Sequence, residues 1–109
     1  MKTTTSVLLV LVTAPNMKTA RRLVNEALKS RLVACANLVS TLESNYWWQG
    51  SIERSKEVLI LFKTTKARMA ALEKLILAVH PYDTPEIVAI RLSSGTPRYL
   101  DWVANSVRR

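Results

Sequence analysis

Val7-Leu8-Leu9-Val10-Leu11-Val12 is the stretch on which the fold turns: six consecutive aliphatic residues, half of them β-branched, halted by Thr13-Ala14-Pro15-Asn16. An apolar run of this length without alternation reads as a strand covered on both faces. Toward the C-terminus, Asn16 stands where an N-cap is needed for a helix over residues 17–31. In that helix Met17, Ala20, Leu23, Val24, Ala27 and Leu28 fall at helical spacing, with Lys18, Arg21, Arg22, Asn25 and Lys29 on the wet side. Residues 33–48 then read as extended, broken mid-way by the polar cluster Ser40, Thr41, Glu43, Ser44 and Asn45. Gln49-Gly50-Ser51 is a turn signal that leads into a second extended segment over residues 52–63. Its Val58-Leu59-Ile60-Leu61-Phe62 run has the same inner-strand character as residues 7–12.

Thr64 or Thr65 is expected to cap a second helix that ends at Val79, with Met69, Leu72, Leu75, Ile76 and Val79 on one stripe. His80-Pro81-Tyr82-Asp83-Thr84-Pro85 is bracketed by prolines and cannot continue it. Residues 86–92 read as a fourth strand, ended by Ser93-Ser94-Gly95. Thr96 as N-cap and Pro97 at the first helical position open a last helix. The order strand, helix, strand, strand, helix, strand, plus a terminal helix, is the split β-α-β or ferredoxin-like α+β arrangement, an antiparallel sheet with two helices on one face.

At 109 residues the chain is expected to be a single domain over residues 1–109. With 49% hydrophobic and 22% charged residues, 2 Gly and 4 Pro, it has the composition of a packed protein rather than a disordered one. Sixteen Lys and Arg against eight Asp and Glu give a net charge of +8, a field that attracts polyanions without choosing among them. One cysteine excludes an internal disulfide, and one histidine excludes a Cys/His zinc cage built by one chain. Lys2 and residues 7–12 fall short of a signal peptide's apolar core, so a cytoplasmic location is expected. No stretch approaches the roughly 18 apolar residues of a membrane span.

Two helices cover only one face of the sheet, yet the first and third strands are apolar on both. Leaving three or four large aliphatic side chains in water forgoes roughly 1.5–3 kcal/mol each, so an obligate homo-oligomer on that face is expected. Tyr46-Trp47-Trp48 at the hairpin end must expose at least one large ring in a lone subunit, and fits the same interface.

His80 and Glu86, six residues apart, offer a nitrogen and a carboxylate to a divalent metal such as Cu or Zn, too few donors by themselves. The competing reading has His80 closing the second helix and hydrogen-bonding the proline loop. Cys35, between Ala34 and Ala36, reads as a small buried hydrophobe. Lys63 is either a pocket cation or a solvated lysine. No serine has a nucleophile-elbow context, and glycines only at 50 and 95 exclude a Gly-rich phosphate loop. The strand order is also that of RNA-recognition modules, but their stacking rings are missing from residues 7–12 and 58–62, Phe62 apart, so nucleic acid is not an expected partner.

Several motifs in sequence order carry a resemblance. Thr13-Ala14-Pro15, Arg31-Leu32-Val33-Ala34-Cys35-Ala36-Asn37, Tyr46, Trp48, Gly50 and Ile52, Lys63-Thr64, His80-Pro81-Tyr82-Asp83-Thr84-Pro85-Glu86, and Tyr99-Leu100 with Trp102 resemble the CutA family of divalent-cation tolerance proteins. The resemblance implies a homotrimer of ferredoxin-like subunits, similar in architecture to PII signalling proteins, with a role in copper and divalent-metal tolerance and no enzymatic activity. It also implies a cleft between subunits gathering the His80-Pro81-Tyr82 loop, Trp48 and Lys63. Members credited with copper binding resemble one another in a cysteine ending the first strand and a histidine before the His-Pro pair. Val12 and Val79 stand there in this chain, leaving His80 and Glu86 as the matching metal candidates. A trimeric signalling or scaffold protein holding a small anionic ligand on Lys63, with His80, Tyr82 and Glu86 as polar walls, is the alternative.

Overall fold

The computed structural model describes residues 1–108. Strand β1 (Lys2–Thr3) precedes β2 (Val7–Ala14), helix α1 (Met17–Lys29), β3 (Cys35–Trp48), β4 (Ser51–Thr65), α2 (Lys66–Val79), β5 (Ile87–Arg91), β6 (Ser94–Gly95) and α3 (Pro97–Ser106). The main sheet has the order β3-β4-β2-β5, with every neighbouring pair antiparallel. This is the ferredoxin-like order expected from the sequence.

Alternation along β2 sorts its aliphatic run into two sets. Leu8, Val10, Val12 and Ala14 join Ile60 and Phe62 of β4 and Ala20, Leu23, Ala27, Leu72 and Ile76 of the helices in the main core. Leu9 and Leu11 face the other way, beside Leu59, Leu61 and Lys63 of β4 and Val88 and Ile90 of β5. Val7 shares that second face and is covered by Leu100 and Val103 of α3, so the terminal helix shields only the end where β2 begins. The rest stays open, with Leu9, Leu11, Leu59 and Leu61 half-buried and Val39, Val88 and Ile90 exposed.

Asn16 caps α1 as expected, its side-chain oxygen accepting from the Thr19 N–H at 2.8 Å. Asn16→Ala is expected to lower the unfolding free energy by about 1 kcal/mol, read from a urea transition. The helix stops two residues before the expected end at 31. Arg31 adopts a left-handed φ of 58°, and its N–H bonds Leu28 O while the Leu32 N–H reaches back to Ala27 O. These are the two bonds of a Schellman terminus, made without the usual glycine.

The expected break within residues 40–45 is a β-bulge between Ser40 and Leu42, and β3 continues through it. Gln49 (φ 49°) and Gly50 (φ 83°) form a two-residue turn between the partners Trp48 and Ser51. Positive φ at both centres is what a type I′ hairpin demands, and glycine meets it without a Cβ penalty. Because β2 pairs only with residues 58–65 of β4, the hairpin beyond them is a two-stranded arm. Asn45 and Arg54, directly opposed across it, hydrogen-bond at 2.9 Å.

Three further expectations are corrected. The fourth strand is Ile87–Arg91, shorter at both ends than residues 86–92, and Ser94–Gly95 pairs with Lys2–Thr3 rather than only ending it. Thr65 and Thr96 occupy the N-cap positions of α2 and α3 but make no side-chain cap bond. Thr64 instead donates its hydroxyl to Leu32 O at 2.6 Å, tying the end of β4 to the segment after α1. No described helix is long and apolar enough to cross a membrane.

Candidate functional site

At the end of the sheet where β2 gives way to α1, the hairpin arm and the loop after α2 enclose a cleft of about 610 Å³. Its lining includes Tyr46, Trp47, Trp48 and Glu57 of the arm, Thr13 of β2, and Tyr82, Asp83 and Glu86 of the segment between α2 and β5. Trp47 is 73% exposed, and Tyr46 and Trp48 are half-open at 41% and 42%, so large rings stand unpartnered as expected.

His80 lies under this cleft rather than in it. It is 7% exposed, and its Nε2–H donates to Thr13 O at 2.8 Å while Nδ1 accepts the Tyr82 N–H at 3.1 Å. Because Nδ1 accepts, the neutral ring must carry its proton on Nε2. Both nitrogens are therefore committed within the chain, and His80 presents no free nitrogen to an ion. Its backbone N–H also bonds Ile76 O at the end of α2, which matches the reading of His80 as helix closer and loop holder.

What His80 holds in place is Tyr82. The two rings lie 4.7 Å apart, and the Tyr82 hydroxyl donates to Glu57 Oε2 at 2.8 Å. Burial raises the Tyr82 pKa well above the usual tyrosine range, and the hydrogen bond and negative charge of Glu57 add to it. Glu57 is itself nearly buried, at 7% exposed, and accepts from this hydroxyl. Tyr82→Phe is expected to destabilise the fold by about 1–3 kcal/mol, because a nearly buried carboxylate loses a donor. Thermal unfolding of the two proteins at neutral pH checks this.

Of the candidate residues, the structure brings Trp48, Tyr82 and Glu86 together at one cleft, beside Glu57, which the sequence reading did not single out. The available signal was a carboxylate adjoining the inner-strand run that starts at Val58. Lys63 is elsewhere: six residues along β4 from Glu57, roughly 20 Å at strand rise, it is half-buried and donates to Asn37 Oδ1. Cys35 pairs with Lys63 at that far end and is half-buried rather than fully buried. Its sulfur contacts the Tyr99 hydroxyl at 3.7 Å. Burial first, then the Cys35 contact, pushes the Tyr99 pKa up to about 12. A neutral Tyr99 is favoured by the fold, so its contribution is complete below an ordinary tyrosine pKa of about 10 and is lost as pH climbs through about 12. Tyr99→Phe is expected to remove that part of the alkaline decline, read by tryptophan fluorescence against pH.

Among the described residues no group of three or more His, Cys, Asp or Glu is placed to hold a metal ion. Glu57, Asp83 and Glu86 nevertheless share the cleft, and no Lys or Arg is among its lining residues.

A ferredoxin-like sheet with one aliphatic face left open, and a cleft with three carboxylates at its end, defines an α+β domain. The sequence pattern of the CutA1 divalent ion tolerance proteins matches residues 8–106, and the chain belongs to that family. It is 42% identical over 94 residues to the divalent-cation tolerance protein CutA of Thermus thermophilus, covering 86% of this chain and 91% of the relative. It is 38% identical over 106 residues to a rice CutA protein described as chloroplastic, covering 97% of this chain. The chain spans 60% of the rice relative and 56% of the corresponding Arabidopsis thaliana protein. The crystal structure of CutA from Xylella fastidiosa superposes with a TM-score of 0.93 at 33% identity, covering 95% of this chain and all of the other.

Proposed function

We propose that this chain acts in tolerance to divalent cations, copper among them, as a cytoplasmic homotrimer that binds metal at a cleft between subunits and performs no catalysis. The observation that carries the reading is the lining of the cleft: three carboxylates, Glu57, Asp83 and Glu86, and no Lys or Arg. Carboxylate oxygens suit divalent ions, and within a given site copper binds most tightly of the common first-row metals. Because one copy brings too few donors together, a neighbouring copy completes the site. The exposed Tyr46, Trp47 and Trp48 and the open sheet face supply the surfaces on which that copy sits. Glu86 serves as ligand, and His80 joins it only by releasing Thr13 O or the Tyr82 N–H. The charge of the cleft disfavours a small anionic ligand, which only Lys63 from a neighbouring copy would answer.

Native mass spectrometry with Cu(II) and Zn(II) tests this. The expected result is a trimer carrying about three ions, one for each cleft, with occupancy lowered in Glu86→Gln and in Glu57→Gln. A trimer that stays free of metal overturns the metal reading, and a monomer overturns the assembly.

A further inference from the structure

The sheet lacks the rings of an RNA-binding surface, but a different face of the molecule meets the requirements for holding phosphates. Lys18, Arg22, Asn25 and Lys29 follow one another at four-, three- and four-residue intervals, which aligns them in a single stripe along α1 with Arg21 beside it. All five are exposed and line one shallow groove with Glu26. Glu26, the one acid of α1, sits 3.8 Å from Arg22 and steadies its guanidinium. At the end of the stripe Arg31 donates to Ser106 O at 3.1 Å, and Arg68 to Val107 O at 2.8 Å, so two more guanidiniums are held in position.

Charge is segregated on the larger scale. Five of the eight carboxylates, Glu43, Glu53, Glu57, Asp83 and Glu86, belong to the hairpin arm or the cleft loop. Outside residues 43–57 and 80–86 the sequence has fourteen Lys and Arg against Glu26, Glu73 and Asp101. Lys29 complements the C-terminal end of α1, but helix stability does not account for the others. No described helix has an acid in its first turn, and Lys18, Lys66 and Arg98 stand where the helix dipole repels a cation.

We infer that the outer face of α1 binds the phosphate backbone of duplex nucleic acid without reading its sequence. From Lys18 to Lys29 the stripe runs about 17 Å, over which one strand of a duplex presents about five phosphates. The face carries no aromatic side chain, so it offers no platform for the unstacked bases of a single strand. A membrane fits less well: the apolar side of α1, Ala20, Leu23 and Ala27, is locked in the core and cannot sink into a bilayer.

The test uses the full chain and a fluorescently labelled duplex of mixed sequence, read by anisotropy at rising salt. If four cations engage, affinity falls about 100-fold between about 50 and 200 mM salt, with a log–log slope of about −3.6. The variant Lys18→Gln, Arg21→Gln, Arg22→Gln, Lys29→Gln is expected to flatten that slope and weaken binding at least about tenfold at about 100 mM salt. Arg54→Gln with Lys56→Gln, on the arm, is expected to change neither. Circular dichroism confirms that each variant is folded. Absence of duplex binding at low salt, equal binding by the α1 variant, tighter binding of oligo-dT than of the duplex, or capture by phosphatidylserine vesicles in place of the duplex each overturns the proposal.

Discussion

Replacing Val88 and Ile90 together by lysine is expected to convert the protein from an oligomer to a monomer without unfolding it. In one chain these side chains are 44% and 45% exposed, so the substitution leaves the core untouched. Across the ladder they pair with Leu11 and Leu9, on the edge strand β5 of the uncovered aliphatic face whose inner strands carry Leu9, Leu11, Leu59 and Leu61. Contact between copies removes this surface from water at roughly 25 cal/mol per Å², and two buried, unpaired ammonium groups reverse the gain at several kcal/mol. Size-exclusion chromatography with light scattering should show the parent protein as an oligomer and Val88→Lys, Ile90→Lys as a monomer with unchanged far-ultraviolet circular dichroism. A parent protein that is monomeric at micromolar concentration would refute assembly through the sheet. An oligomer that survives both lysines would place the interface elsewhere.

The largest effect on the folded chain itself is expected from Phe62→Ala. Phe62 is fully buried, lies opposite Val10 on β4 and joins the cluster that includes Leu23, Leu72 and Ile76. Truncating it removes the largest side chain at the sheet–helix contact, at a cost of about 3–5 kcal/mol. Against a total of about 5–15 kcal/mol for an ordinary domain, such a loss leaves the protein partly unfolded near 37 °C. Phe62→Leu, closer in volume, should lose less. Urea transitions at equal protein concentration separate the two, because assembly otherwise adds its own stabilisation. A loss below about 1 kcal/mol for Phe62→Ala would mean that the helices do not close on β4 as described.

Most of the fold was legible because the apolar runs at residues 7–12 and 58–62 have no alternation, which marks them as the two inner strands of one sheet. Even-numbered positions of β2 meet the helices, odd-numbered ones meet the open face or α3, and one run encodes both. The end of α1 was not legible, since Arg31 takes a backbone conformation that sequence usually marks with glycine. The β1–β6 ladder, two residues a side, is too short to leave a periodic signature. At the cleft, Trp48, Tyr82 and Glu86 come from motifs that are recognisable alone. Glu57 gains its role only through Tyr82, 25 positions away, and the Nε2 of His80 is taken only because Thr13 folds against it. Such partnerships are tertiary facts that spacing does not record.

The two-stranded arm ties the cleft to the amount of protein present. A ribbon of residues 42–48 and 51–57 has no third strand on either edge, and isolated hairpins are marginal in water. Ser44 through Trp48, which form one wall of the cleft, lie wholly on that ribbon. Any copy that docks against the arm therefore contributes to wall formation by mass action, and occupancy of the cleft and association of copies become linked equilibria. If the cleft holds a cation and copies associate as proposed, the cation is expected to tighten the assembly, dilution to loosen both together, and amide exchange along the arm to track the protein's own concentration.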